Sequence, residues 1–185
     1  MNGRTSHKGL LYIKKILSRC EFVLLVLSCI SVFIMVIIMT YGVIGRQFFN
    51  SSVLWATEAS TFLMVYLTFL SMPWILQIGG HVKIDIFVAS LSRKKLKFLN
   101  ILVYTLCTIA MAIFFWYSLN ITIDSFQRGT VLLDSVSWPE YLLMLPIPVG
   151  SFFLTVRFIL FLLEIFYEFD KDKEKLNKEV EIPKK

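Results

Sequence analysis

Few side chains capable of acid–base or ligating chemistry lie in or beside apolar sequence: Glu58, Arg157 and Glu164. A charge at the centre of a bilayer costs about 2.5–3.5 kcal/mol even on mild scales, so each is a candidate for function. Glu58 follows Trp55 by one turn at the start of an apolar stretch. There it is either a proton-binding carboxylate of the kind a small proton-coupled exporter uses, or a charge favoured by a helix N-terminus. Its shallow depth favours the second. Arg157 lies close enough to one surface to snorkel to the headgroups, which makes it an interfacial anchor.

Larger constellations are excluded. The two histidines, His7 and His81, lie outside the apolar stretches, and Glu58 is about 34 Å of straight helix away from His81 and farther still from Asp85. There is no H-E-x-x-H, no G-x-S-x-G and no glycine-rich phosphate loop, so neither an enzyme nor a cofactor is expected. Cys20, Cys29 and Cys107 have no metal or disulfide spacing and read as small apolar packing residues.

These residues must be positioned by four apolar stretches, 22–44, 55–78, 98–123 and 141–166. Each satisfies the need of a spanning helix for about 20 apolar residues. Of 185 residues 57% are hydrophobic and 17% charged, 17 are Phe, and the mean hydropathy is +0.72. A water-soluble domain could not cover that much apolar surface. The expected fold is therefore all-α: an integral membrane protein of four transmembrane helices with short interfacial helices. Residues 1–21 form a basic arm, 22–166 the membrane domain and 167–185 a charged tail that alternates in sign.

The net charge of +6 is a topology signal, with no nucleic-acid footprint. Arg4, Lys8, Lys14, Lys15 and Arg19 precede the first span, and Lys83, Arg93, Lys94, Lys95 and Lys97 lie between the second and third. The other two connections carry only Arg46 and Arg128. The positive-inside rule places both termini and the middle connection on the cytoplasmic side of the membrane. The first stretch is longer than the 7–15 residues of a signal peptide's core and no A-x-A site follows, so it is read as a retained anchor.

In the arm, Leu10, Ile13, Leu17 and Cys20 recur at helical spacing, as in a helix lying on the membrane; plain stop signals are the alternative. Ile84, Phe87, Val88 and Leu91 suggest a second such helix. Lys14, Lys15, Arg93, Lys94, Lys95 and Arg157 are the expected anchors to lipid headgroups. The loop 124–140 carries Val131, Leu132, Leu133 and Trp138, an apolar patch that either docks a partner or folds back on the bilayer. Pro146, Pro148 and Gly150 interrupt the fourth stretch without a matching break elsewhere, so no internal repeat is expected.

Trp55-Ala56-Thr57-Glu58 at the start of span two, Gly80-His81-Val82-Lys83-Ile84-Asp85 after it and Leu145-Pro146 at span four together resemble the small permease subunit of tripartite ATP-independent periplasmic (TRAP) transporters. The resemblance covers all four spans and marks Trp55, Glu58, Gly80, His81, Asp85 and Pro146 as motif positions. Two departures are Thr57 and Thr61, where the family often has an acid and an arginine one turn apart; losing both leaves no orphan charge. The resemblance implies a stable complex with a large permease subunit and transient contact with a periplasmic solute-binding protein. Its implied role is to brace sodium-coupled uptake of an organic acid, a carboxylate or sialic-acid-like solute. Thr40, Gly42, Thr68 and Ser71 are candidate small contacts, and the hydrophilic end at Lys184-Lys185 suggests a large subunit that is not fused. The alternative class is a self-contained proton-coupled multidrug or cation exporter, dimeric, with Glu58 as its proton site.

Overall fold

The computed structural model describes residues 3–49, 54–79, 93–133 and 136–180. Helices α1 (Gly3–Phe49), α2 (Leu54–Gly79) and α3 (Arg93–Arg128) are followed by strands β1 (Val131–Leu133) and β2 (Ser137–Pro139), a short α4 (Glu140–Met144) and α5 (Pro146–Val180). Four stretches are long and apolar enough to cross a membrane: Tyr12–Phe48, Leu54–Gly79, Phe98–Arg128 and Glu140–Ile165. Helix is dictated by the solvent, because hydrocarbon offers no partner to a backbone N–H or C=O.

The spans pack as a layer out of chain order. Helix α1 packs on α2, α2 on α5 and α5 on α3, while α1 and α5 touch only sparingly. Span four is thus interior to the layer and the most buried, whereas none of the most apolar window of span three is buried.

Small residues set the crossings. Ser28, Ser31 and Gly45 are the buried positions of α1 beyond Glu21, and Ala56, Ala59 and Ser60 those at the start of α2. A Cβ on Gly42 would stand 3.2 Å from that of Ala56. The serines satisfy themselves on their own helices: Ser28 Oγ donates to Leu25 O at 2.7 Å, Ser31 to Leu27 O at 3.0 Å and Ser60 to Ala56 O at 2.7 Å. Backbones can then approach without burying an unmet polar group, the usual solution where lipid is as apolar as leucine.

Two prolines organise the contact between α2 and α5. Proline has no N–H, so Pro146 leaves the carbonyl of Leu142 without its helical donor. The Tyr66 hydroxyl donates to that oxygen at 2.6 Å. Pro73, buried inside α2, frees the carbonyl of Phe69 in the same way. Gly150 of α5 sits on that carbonyl so closely that a Cβ would lie 2.2 Å from the oxygen. Each helix covers a carbonyl that the other's proline exposed, and only glycine permits the second contact. The break expected at Pro146 is therefore real: Leu145 N–H closes α4 on Tyr141 O at 3.0 Å, and Pro146 opens α5.

Helix α3 ends at Gly129, whose φ of 60° is left-handed. Gly129 N–H bonds to Phe126 O at 3.4 Å and Thr130 N–H to Ser125 O at 3.3 Å, the paired bonds of a Schellman ending. The chain then forms an antiparallel hairpin pairing Val131 with Pro139, Leu132 with Trp138 and Leu133 with Ser137. Ser125 Oγ, 2.6 Å from Thr130 Oγ1 and 3.2 Å from Glu140 Oε2, ties its base to α3.

The arm differs from expectation. It is helical from Gly3, yet it runs unbroken into the first span as one helix of 47 residues, about 70 Å at 1.5 Å per residue, instead of forming a separate helix along the surface. No proline or glycine cap interrupts Leu10 to Phe22, so nothing ends the helix there. Of the expected apolar face, Leu17 is buried but Ile13 and Cys20 are exposed. Cys29 is exposed too, so neither cysteine is an internal packing residue. Helix α5 likewise continues through the charged tail to Val180.

Candidate functional site: a buried ion pair joining three spans

At the end of the layer toward the start of α1 and the finish of α5, α1, α2 and α5 converge on one polar cluster. Arg157 Nε donates to Glu21 Oε1 at 2.9 Å, and its Nη2 bonds the other carboxylate oxygen, making the pair bidentate. The same Nη2 reaches Gln77 Oε1 at 2.7 Å, while Gln77 Nε2 donates to Ser18 Oγ at 2.9 Å. Glu21 is 0% and Arg157 3% exposed, so this is a closed network and not a surface bridge. Seven residues on, Lys14 pairs with Glu164, both about one-third exposed. Phe22 and Trp74 pack edge to face beside the cluster at 5.3 Å.

Arg157 is therefore not the snorkelling anchor expected of it. Its guanidinium turns inward because a bidentate carboxylate and an amide meet it there, whereas the headgroups offer only exposed, competing water. Lys14 is likewise drawn to Glu164, while Lys15 and Arg19 remain exposed. Glu21, Gln77 and Ser18 were not singled out by sequence reasoning, because Glu21 falls just before the apolar stretch. A signal existed: Lys14 and Glu21 are spaced by seven residues, as are Arg157 and Glu164. Two such pairs, each basic then acidic along the chain, match on antiparallel helices.

At the opposite end, Trp138 Nε1 donates to Glu58 Oε2 at 3.3 Å, and the indole packs edge to face on Phe62 at 5.6 Å. Trp138 thus faces into the protein and pins the hairpin to α2. Val131 stays exposed. Trp55, near the start of α2, packs with Tyr41 at 6.0 Å. Thr61, at the position of the family's arginine, donates to the carbonyl of Thr57 at 3.1 Å. Gly42 and Ser71 are used inside the chain; Thr40 and Thr68 are exposed and bond their own helices. Arg93, Lys94 and Lys95 open α3, and Pro146 is buried. Gly80, His81, Asp85 and the interfacial helix expected around Ile84 lie outside the described residues.

Between α1, α2 and the hairpin runs an apolar groove of about 440 Å³, lined by Leu27, Ile34, Phe62, Leu63 and Leu142 among others. Its polar members are Ser31, Tyr66 and Trp138. Their donors are already committed, to Leu27 O, Leu142 O and Glu58 respectively. Among the described residues no three His, Cys, Asp or Glu side chains gather as a metal site would require.

Four apolar helices long enough to cross a bilayer, three of them joined by a charge-neutral buried cluster, define a multi-pass membrane protein. Residues 35–167 match the family model of the DctQ component of tripartite ATP-independent periplasmic transporters. The match covers well over half of the chain, which therefore belongs to that family and is the small membrane component of a TRAP transporter. No individual curated protein matches it.

Proposed function

We propose that this chain braces the large permease subunit and carries no solute itself. The observation behind this reading is that the groove's polar side chains all spend their hydrogen-bond donors within the chain, leaving nothing to grip a polar solute. The Glu21–Arg157 pair likewise closes on itself. Large apolar faces stay uncovered, including Leu102, Leu106, Ile109, Ile113 and Trp116 of α3. Some of these faces meet lipid and others the permease helices, whose association depends on close packing.

In this reading the basic residues Lys15, Arg93, Lys94 and Lys95 hold the charged end at the cytoplasmic headgroups of the inner membrane, with both termini inside. The hairpin then faces the periplasm, where Val131 and Leu132 meet the solute-binding protein as it docks. The complex takes up an organic acid on a sodium gradient, with the solute held by the other two components.

The exporter alternative requires Glu58 to exchange protons. Its carboxylate instead accepts the Trp138 indole, the position of a structural acceptor. Glu58→Gln keeps an amide oxygen able to accept that bond. The chain should therefore still copurify with the permease in mild detergent, and uptake should be unchanged. Loss of uptake with the complex intact would favour the exporter.

A further inference from the structure

We propose that the Glu21–Arg157–Gln77–Ser18 network is a register latch, which positions span four against span one and so presents the permease with a preset apolar face. The consequence for the permease rests on the bracing function; the latch itself does not.

Helices α1 and α5 scarcely touch, and apolar contacts in lipid resist sliding weakly because the tails are as apolar as the side chains they replace. A slip of one residue moves a side chain about 1.5 Å along the axis and about 100° around it, which breaks a bidentate pair. Slips of two turns are the real competitors, since they restore the facing direction. The sequence opposes both. Moving α5 two turns one way sets Glu21 against Glu164; moving it two turns the other way sets Lys14 against Arg157. Each alternative juxtaposes like charges where the observed register pairs opposite ones at both rungs. Gln77 extends the constraint to α2, through Arg157 on one side and Ser18 on the other. A buried ion pair often adds little stability over apolar residues of similar volume, and selecting one register is its best-attested use.

The Lys14–Glu164 rung supplies the readout. A carbodiimide couples a lysine to a carboxylate only when the two are in contact, and the Lys14–Glu164 peptide is quantified by mass spectrometry on the full complex in membranes. The double variant E21L/R157M should accumulate within twofold of the unaltered chain yet lose at least tenfold in that coupling. Reversing all four charges, K14E/E21R/R157E/E164K, restores the pattern with opposite signs and should recover coupling within twofold. Unchanged coupling in E21L/R157M overturns the latch. So does loss of coupling in an abundant four-charge reversal. Failure of E21L/R157M to accumulate also overturns it, since the pair would then be needed for more than register. Copurification of the unaltered chain with the permease tests bracing separately and is independent of these variants.

Discussion

Replacing Gly150 by alanine probes the most constrained contact in the layer. The added Cβ would lie 2.2 Å from the Phe69 carbonyl oxygen, 2.8 Å from its carbon and 3.0 Å from the Phe69 Cβ. Restoring even a 3.0 Å contact to the oxygen requires about 0.8 Å of movement, and the obstacle is backbone, which cannot rotate away. Overpacking of this kind costs about 1–3 kcal/mol. Opening the crossing by that distance also forfeits a quarter to a half of the dispersion energy of the neighbouring contacts. The expected loss is therefore about 2–3 kcal/mol, at the upper end of that range. Gly42→Ala is the matched control, because its Cβ would meet only the Ala56 side chain at 3.2 Å and needs a few tenths of an ångström; it should cost under about 1 kcal/mol. Reversible unfolding in mixed micelles titrated with denaturing detergent measures both. Equal effects, or a larger loss in Gly42→Ala, would refute the reasoning about the α2–α5 contact.

Other expectations follow from single contacts. Tyr66→Phe leaves the Leu142 carbonyl, freed by Pro146, without its donor and should cost about 0.6 kcal/mol in the same assay, the average for hydrogen bonds between membrane helices, and at most about 1.7 kcal/mol. Gly129→Ala meets no atom within 4 Å, so its whole cost is the left-handed backbone, about 1–2 kcal/mol, with Gly129→Asn less damaging. Trp138→Phe removes the donor to Glu58 but keeps an aromatic ring on Phe62; limited proteolysis should cut the hairpin faster while the complex still forms.

Much of the membrane fold was legible because it follows from composition. Four runs of about 20 apolar residues admit little but spanning helices, and the break at Leu145-Pro146 follows from a missing N–H. What composition could not give is which helix lies beside which. The layer order depends on crossings at Gly150, Gly42, Ala56 and Ala59, where the signal is the absence of a side chain rather than a pattern. Arg157 was visible as a costly charge, but its partner was not, since Glu21 sits at the edge of an apolar run where a carboxylate is ordinary. The matching seven-residue spacings on α1 and α5 become meaningful only once the two helices are known to be antiparallel and adjacent at that end. The hairpin was hidden for a different reason: in the sequence Trp138 belongs to the same apolar patch as Val131 and Leu132, and only the structure turns it onto Glu58 and Phe62.

Solute flux into liposomes bears most directly on the central claim. Vesicles holding the purified chain alone, under sodium or proton gradients, should show no uptake of organic acids and no exchange of cations. Adding the large permease and the solute-binding protein should establish sodium-driven uptake, which falls away when this chain is left out. Gradient-driven flux through the chain by itself, abolished by Glu58→Gln, would contradict the bracing role.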